Sequence, residues 1–349
     1  MVEYIKVLVV DDSAFMRKII SEMLNDHPRI RVIGTARNGK DALTKREELR
    51  PDVITLDVEM PIMNGLETLK MIMDNDPCSV VMVSSTTKVG AENTLLAIEY
   101  GAVDFVTKPS GAISLDIEKV KDSLIDKIIQ ASKANVKRIN VVKPLERKEE
   151  SKVKNKTKLK KMVAIGTSTG GPRALKDVLT KIPAKFNAPI LIVQHMPAGF
   201  TKSLANRLNS LSNIHVTEAK DGDIVRNGVA YIAPGGYHLA VKKVASDYVV
   251  HIHQEEEARR GHRPSVDVMF ESLASLPEIE TIAVIMTGMG ADGTEGLIHL
   301  KQKTSHCYAI VESEESCTVY GMPKAAMQTR LVDERVHVQQ ITERILKRF

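Results

Sequence analysis

Cysteine is scarce in this 349-residue sequence: Cys78, Cys307 and Cys317 are an odd number and show no C-x-x-C spacing. That excludes a disulfide framework and a zinc knuckle, and it fits a reducing cytoplasm. Long apolar runs are missing as well. None approaches the ~18 residues that span a bilayer. The N-terminal apolar stretch is bordered by Glu3, Asp11 and Asp12 rather than by a basic leader. A cytoplasmic protein with no membrane insertion is expected.

Positive charge is abundant only in one place. Residues 143–161, KPLERKEESKVKNKTKLKK, hold eight Lys and one Arg against three Glu, so this segment carries +6 of a net +5 and leaves about −1 elsewhere. No folded part then offers a basic groove, and nucleic acid is not an expected partner. The segment also lacks aromatic residues, which marks a solvated tether. A domain prior of roughly 100 to 200 residues gives two domains: one over 1–131, a flexible basic linker over 132–160, and another over 161–349. Such a tether reaches roughly 30 Å.

The first third alternates apolar runs (IKVLVV, IRVIGT, DVITLD, SVVMVSS, AVDFVTK) with stretches of helical periodicity, which predicts a five-stranded parallel sheet with helices on both faces. The reactive edge of such a sheet lies beyond the C-terminal strand ends, where Asp11, Asp12, Asp57, Ser84 and Lys108 fall. Three converging carboxylates repel unless a cation sits among them, and a hard ion such as Mg2+ on Asp11, Asp12 and Asp57 answers that. Asp57 then suits attack on phosphorus, with the phosphoryl oxygens neutralised by Mg2+ and Lys108 and hydrogen-bonded by Ser84. VLVVDDSAFMRKII, LDVEMPIMNGLE, MVSS and FVTKP resemble the receiver domains of two-component response regulators. The resemblance implies a flavodoxin-like (βα)5 fold and phosphorylation of Asp57 by a histidine kinase. It further implies a switch set of Ser84, Phe105 and Lys108 and a cis peptide between Lys108 and Pro109.

In the second domain KMVAIGTS, APILIVQHMP, GVAYIAPGG, TIAVIMTGMG and HCYAIVES read as strands of a doubly wound α/β fold. Turn signals at Asp221-Gly222, Asn227-Gly228 and Pro234-Gly235-Gly236 predict an antiparallel hairpin region in its middle. The stretch MVAIGTSTGGPRAL passes from a strand through a Gly, Ser and Thr turn into a helix. Such a turn aims backbone N–H groups at one point, for a bound phosphate or for a developing oxyanion. It lacks the G-K-[ST] ending of a P-loop and the G-x-G-x-x-G spacing, whereas Gly166, Ser168 and Gly170 spell G-x-S-x-G. His195 and Asp292 stand at the ends of two further strands, so Ser168, His195 and Asp292 can form a nucleophile, base and orienting acid. The residues alone leave the phosphate cradle open.

AIGTSTGGP, QHMPAGFT, APGGYH, GHRPSVDVMF, TGMGADG and SCTVYGMPKAA resemble the catalytic domain of CheB-type protein-glutamate methylesterases. The resemblance implies hydrolysis of glutamate γ-methyl esters on methylated chemoreceptors with release of methanol, glutamine deamidation at the same site, and no cofactor there. It assigns oxyanion donors to the backbone near Met289 and around Thr169 to Gly171. A receiver tethered to a hydrolase further suggests a gate that covers the cleft until Asp57 is phosphorylated. A DNA-binding output would need a short basic helix-turn-helix unit, which the long, near-neutral second half does not offer; the second rival is a non-catalytic adaptor that only binds receptors, and replacing Ser168 by Ala separates it from an esterase, since methanol release then vanishes while receptor binding persists. Among lesser signals, His251-x-His253 reads as a solvated hairpin, since no third metal ligand is placed. Glu255 to Glu257 read as a wet turn, and RPSVD, Arg263 to Asp267, either shapes the cleft or caps a helix. Methionines beside His195 and in TGMG are cleft-lining candidates.

Overall fold

The computed structural model describes residues 4–85, 87–108, 114–134, 136, 161–304 and 306–349. They fall into two compact units, within Met1–Val142 and Lys143–Phe349. Apart from 132–134 and 136, the expected linker over 132–160 lies outside the described residues.

The first unit runs β1 (Ile5–Val10), α1 (Ala14–Asn25), β2 (Ile30–Ala36), α2 (Gly39–Leu49), β3 (Val53–Asp57), α3 (Gly65–Asn75), β4 (Ser79–Ser84), α4 (Lys88–Tyr100), β5 (Asp104–Thr107) and α5 (Ser114–Ala131). Its strands pair in parallel in the order β2-β1-β3-β4-β5, the flavodoxin-like arrangement. All five apolar runs of the sequence became these strands. VITLD and SVVMVS are buried along their whole length, as strands covered on both faces must be. A reciprocal capping box between Asn64 and Glu67 starts α3 immediately beyond Asp57.

The second unit runs β6 (Lys161–Thr167), α6 (Gly171–Leu179), β7 (Ile190–Gln194), α7 (Phe200–Leu211), β8 (His215–Glu218), β9 (Val229–Ile232), β10 (His238–Val244), β11 (Asp247–His253), α8 (Val266–Ala274), β12 (Glu280–Ile285), α9 (Thr294–Lys303), β13 (Cys307–Glu312), α10 (Met322–Gln328), β14 (Glu334–Val336) and α11 (Val338–Leu346). Seven strands form a parallel sheet in the order β14-β13-β12-β6-β7-β9-β8, while β10 and β11 make a separate antiparallel pair. The expected hairpin is therefore present, but its turn lies at Ala245-Ser246, where Ala245 takes φ 53° without a glycine. The Gly-containing turns instead shape the connections around it. Strands β8 and β14 were not anticipated, because HVTE and ERV are too short to show a period. Helix α8 buries Val266, Met269, Phe270 and Leu273, one stripe at helical spacing, and packs against β6 and β10. That packing fixes the helix N-terminus beside the end of β6, where the site forms.

Candidate functional site

From β6 the chain builds β7, β9 and β8 to one side, then returns to add β12, β13 and β14 on the other. Such a reversal opens a crevice at the C-terminal strand ends. Ser168 follows β6, His195 follows β7, and Asp292 lies in the loop after β12. Thr167 and Gln194 are register partners, and the His195 N–H donates to the Thr167 carbonyl at 3.1 Å. Ser168 and His195 thus leave adjacent strands side by side.

The turn around Ser168 is held from three directions. Its N–H donates to the Thr287 carbonyl at 3.0 Å, and its own carbonyl accepts from Gly171 N–H at 2.8 Å and from Gln194 Nε2 at 2.9 Å. Gly170 bends the chain at φ 78°, and a Cβ on Gly288 would stand 2.7 Å from the Ser168 Cβ, so both positions need glycine. The Gly171 amide is occupied by that bond and drops out of the expected oxyanion set. Thr169 is buried, while Met289 is 39% exposed, and the Met289 amide has no backbone acceptor among the described residues. Behind this turn Thr287 donates its hydroxyl to the Thr169 carbonyl at 2.9 Å and its N–H to Glu312 Oε2 at 2.8 Å. Burial pushes the Glu312 carboxyl up to about 7 against the pull of that amide.

His195 Nε2 lies 2.7 Å from Asp292 Oδ2. A carboxylate accepts, so Nε2 carries the proton and Nδ1 presents its lone pair. Nδ1 is buried and has no hydrogen-bond partner among the described residues. The serine-hydrolase template pairs Nδ1 with the acid; here Nε2 faces the acid instead. The His262 ring stacks on His195 with centroids 4.0 Å apart and planes 9° from parallel.

Asp292 is almost wholly buried, yet it is saturated with donors: Ser265 Oγ at 2.8 Å, Val266 N–H at 2.7 Å, Asp267 N–H at 3.0 Å and Gly293 N–H at 3.1 Å, besides His195. Two of these amides open α8, so Asp292 is the anion at that helix N-terminus. Burial acts to raise its pKa, but the His195 contact and the backbone amides win and hold it well below the ordinary carboxylate range. RPSVD therefore both shapes the cleft and supplies a helix start, although Ser265 donates to Asp292 instead of capping α8 with its own side chain. Asp267, buried beside this anion, is pushed upward by burial and by the Asp292 charge. Sequence reading gave no role to Gln194, His262, Thr287 and Glu312, and placed Ser265 only as part of RPSVD. Gln194, His262 and Thr287 lie inside the quoted stretches QHMPAGFT, GHRPSVDVMF and TGMGADG, whereas Glu312 reaches the site only through the β12–β13 pairing.

Two methionine expectations separate: Met289 is exposed, but Met196 is core. The solvated reading of His251 and His253 fails, since His253 is buried and His251 largely so. Glu255 to Glu257 are exposed, as a wet turn should be.

In the first unit Asp11, Asp12 and Asp57 each bring a carboxylate oxygen within 4.8 Å of the others. Lys108 Nζ stands 2.8 Å from Asp57 Oδ2 and 3.0 Å from Asp11 Oδ2, and apart from it neither buried oxygen has a partner among the described residues. Burial raises the Asp57 carboxyl to about 6, Lys108 only partly opposing it. Phe105 is buried, and the Ser84 hydroxyl donates to the Gly90 carbonyl at 3.1 Å, so contact with a group on Asp57 requires it to rotate. The expected cis peptide at Lys108-Pro109 lies outside the described residues.

Residues 163–345 match the family model described as CheB methylesterase, and residues 7–118 match the response regulator receiver domain. A protein-glutamate methylesterase/protein-glutamine glutaminase of Halalkalibacterium halodurans is 60% identical over 98% of both chains. A Bacillus subtilis relative of the same name is 51% identical over 98% of this chain and 97% of its own. Among solved structures, the Thermotoga maritima CheB methylesterase catalytic domain aligns with TM-score 0.53 and 41% identity, covering 54% of this chain and 99% of that one. The chain belongs to the CheB methylesterase family, with a receiver domain ahead of its catalytic domain.

Proposed function

We propose that residues 161–349 hydrolyse γ-methyl esters of glutamate side chains on chemoreceptor proteins, and γ-carboxamides of glutamine at the same site. The observation that carries the reading is the buried His195, with Nε2 tied to Asp292 and Nδ1 without a partner among the described residues, leaving a strand end adjacent to the one that bears Ser168. Ser168 Oγ attacks the ester carbonyl as its proton passes to Nδ1, and Asp292 stabilises the resulting imidazolium. The amides of Met289 and Thr169 hold the oxyanion. Collapse expels the alkoxide, which takes the proton from Nδ1 and leaves as methanol; a carboxamide releases ammonia. Water, deprotonated by Nδ1, then attacks the acyl-serine, and the proton returns to Ser168 as the glutamate carboxylate departs.

The first unit, 1–131, regulates this reaction through phosphorylation of Asp57 by a chemotaxis histidine kinase, and the basic segment 132–160 joins the two. The oxygen-only cluster of Asp11, Asp12 and Asp57 suits Mg2+, which supplies charge neutralisation for the phosphoryl oxygens. Lys108 adds a fixed positive charge, and Ser84 with Phe105 reports the change. Among the described residues no helix is long and apolar enough to cross a membrane, and the free cysteines suit a cytoplasmic setting.

Methanol release from methylated receptor membranes, with and without acetyl phosphate, tests the reading. Wild type is expected to release methanol faster with the phosphodonor and Ser168→Ala to lose roughly 10^6 in rate; undiminished release by the variant overturns the nucleophile. Removal of residues 1–140 is expected to raise the rate without phosphodonor, and an unchanged or lower rate rejects restraint by the receiver.

A further inference from the structure

The hairpin β10–β11 carries a side-chain cluster that ester chemistry does not use. Alternation along β11 sends Tyr248 and Val250 into the core and turns His251 and His253 to the opposite face. Across the hairpin His253 stands opposite His238, and His251 opposite Ala240, whose small side chain leaves room above it. The rings of His251 and His253 stack with centroids 4.8 Å apart and planes 12° from parallel.

His251 is oriented from behind. Its Nδ1 lies 3.1 Å from Asp221 Oδ1, an oxygen that also accepts the Ile252 N–H at 2.9 Å. The carboxylate fixes the proton on Nδ1, so Nε2 presents a lone pair. That Nε2 is buried, has no hydrogen-bond partner among the described residues, and faces Glu255 Oε1 at 3.7 Å. His253 Nδ1 is likewise buried and unpartnered, in a residue only 9% exposed. One ligand atom from each of His251, His253 and Glu255 lies within 4.8 Å of the other two. Lone pairs gathered this closely repel. A single proton on His251 Nε2 would satisfy Glu255 but leave His253 Nδ1 unmatched, whereas one cation satisfies all three.

We propose that His251, His253 and Glu255 bind a divalent transition-metal ion of the Zn2+ class, with Asp221 as the outer carboxylate that orients His251. Two imidazoles and one carboxylate select such an ion over Mg2+, three protein ligands leave a position for water, and a carboxylate behind a ligating imidazole is the usual support. The ion acts as a clamp. Residues 254–262 run from this cluster to His262, which stacks on His195, so an ion at their root holds the segment that supports the catalytic imidazole. The binding claim itself does not depend on the ester reading.

The test is Zn2+ titration of the full chain by competition with a chromophoric chelator, in excess Mg2+ so that the oxygen-only cluster of the first unit is filled. One Zn2+ per chain is expected, with a rise in the unfolding temperature of the second unit. Asp12→Asn is expected to keep that binding, Asp221→Asn to weaken it about 10- to 100-fold, and His251→Gln/His253→Gln to abolish it. Circular dichroism of the metal-free double variant checks folding. If it does not fold, Glu255→Gln, at an exposed residue whose contact is His251, is expected to weaken binding in its place. Absence of stoichiometric binding by wild type overturns the proposal. So does binding that persists undiminished in the histidine or Glu255 variant, or that disappears in Asp12→Asn.

Discussion

Asp57 and Asp292 hold the same address in two different sheets, each buried at the C-terminal edge of a parallel strand array, and they have opposite electrostatics. Asp57 has one ammonium against Oδ2 and one long contact from the Glu59 N–H at 3.4 Å; burial prevails and its pKa rises to about 6. Asp292 is as deeply buried but receives three backbone N–H bonds, a hydroxyl and an imidazole, and its pKa falls. Donor supply therefore separates the two roles. An undersupplied carboxylate remains open to a cation or to phosphorus, while a saturated one is a permanent anion that reacts with nothing and orients a histidine.

The comparison breaks first at Asp292. Asparagine there must turn an NH2 group toward one of its amide donors, because Oδ1 and Oδ2 each accept at least one backbone N–H. If that NH2 takes the place of Oδ2 it also faces His195 Nε2, the ring proton moves to Nδ1 and the base is lost. Asp292→Asn is expected to lower kcat for methanol release by roughly 10^4-fold and to lower the melting temperature of the second unit. Activity within tenfold of wild type would mean that the saturated anion does not set the tautomer.

Asp57→Asn sharpens the other half. A raised folded-state pKa contributes stability that is fully present below the ordinary 3.8 and is lost as pH rises through about 6. Without Mg2+, unfolding of the receiver should become easier across that window by at most about 3 kcal/mol. The neutral amide removes the dependence, so the variant is expected to match wild type near pH 4 and to exceed it above about pH 6, as followed by urea unfolding in chelator. Saturating Mg2+ should narrow the gap, since an ion supplies what Asp57 lacks. The variant should also lose all stimulation of methanol release by acetyl phosphate.

The two regions were also legible to different depths. In the receiver every strand announced itself as an apolar run, and its carboxylates lie next to strand ends in the sequence, so fold and cluster could both be read. In the catalytic unit the three residues proposed to act together, Ser168, His195 and Asp292, stand at strand ends as protic residues in glycine-rich or turn-like settings. The supports were not legible, because Gln194, Thr287 and Glu312 act through pairing between strands distant in sequence. That Nε2, not Nδ1, faces the acid was equally hidden, since ring orientation is set by the folded surroundings of His195. His251 and His253 were judged solvated because a third ligand two residues on, Glu255, becomes one only when the chain folds back past the strand end.

The smallest expected effect tests whether saturation is a matter of degree. Ser265 Oγ is one of the donors to Asp292 Oδ1, which also accepts the Asp267 and Gly293 amides. Ser265→Ala leaves those amides in place and exposes no unmatched donor, so the loss should be that of one bond to a charged group, about 1.5–3 kcal/mol in stability at most. Catalysis should suffer less, because Oδ2, which faces His195, keeps its Val266 amide. Methanol release is expected to fall no more than about tenfold, a barrier change of about 1.4 kcal/mol, with the pH profile unmoved. A loss near that of Asp292→Asn would show that the hydroxyl is the donor on which the anion depends, and that counting bonds does not describe how the two aspartates came to differ.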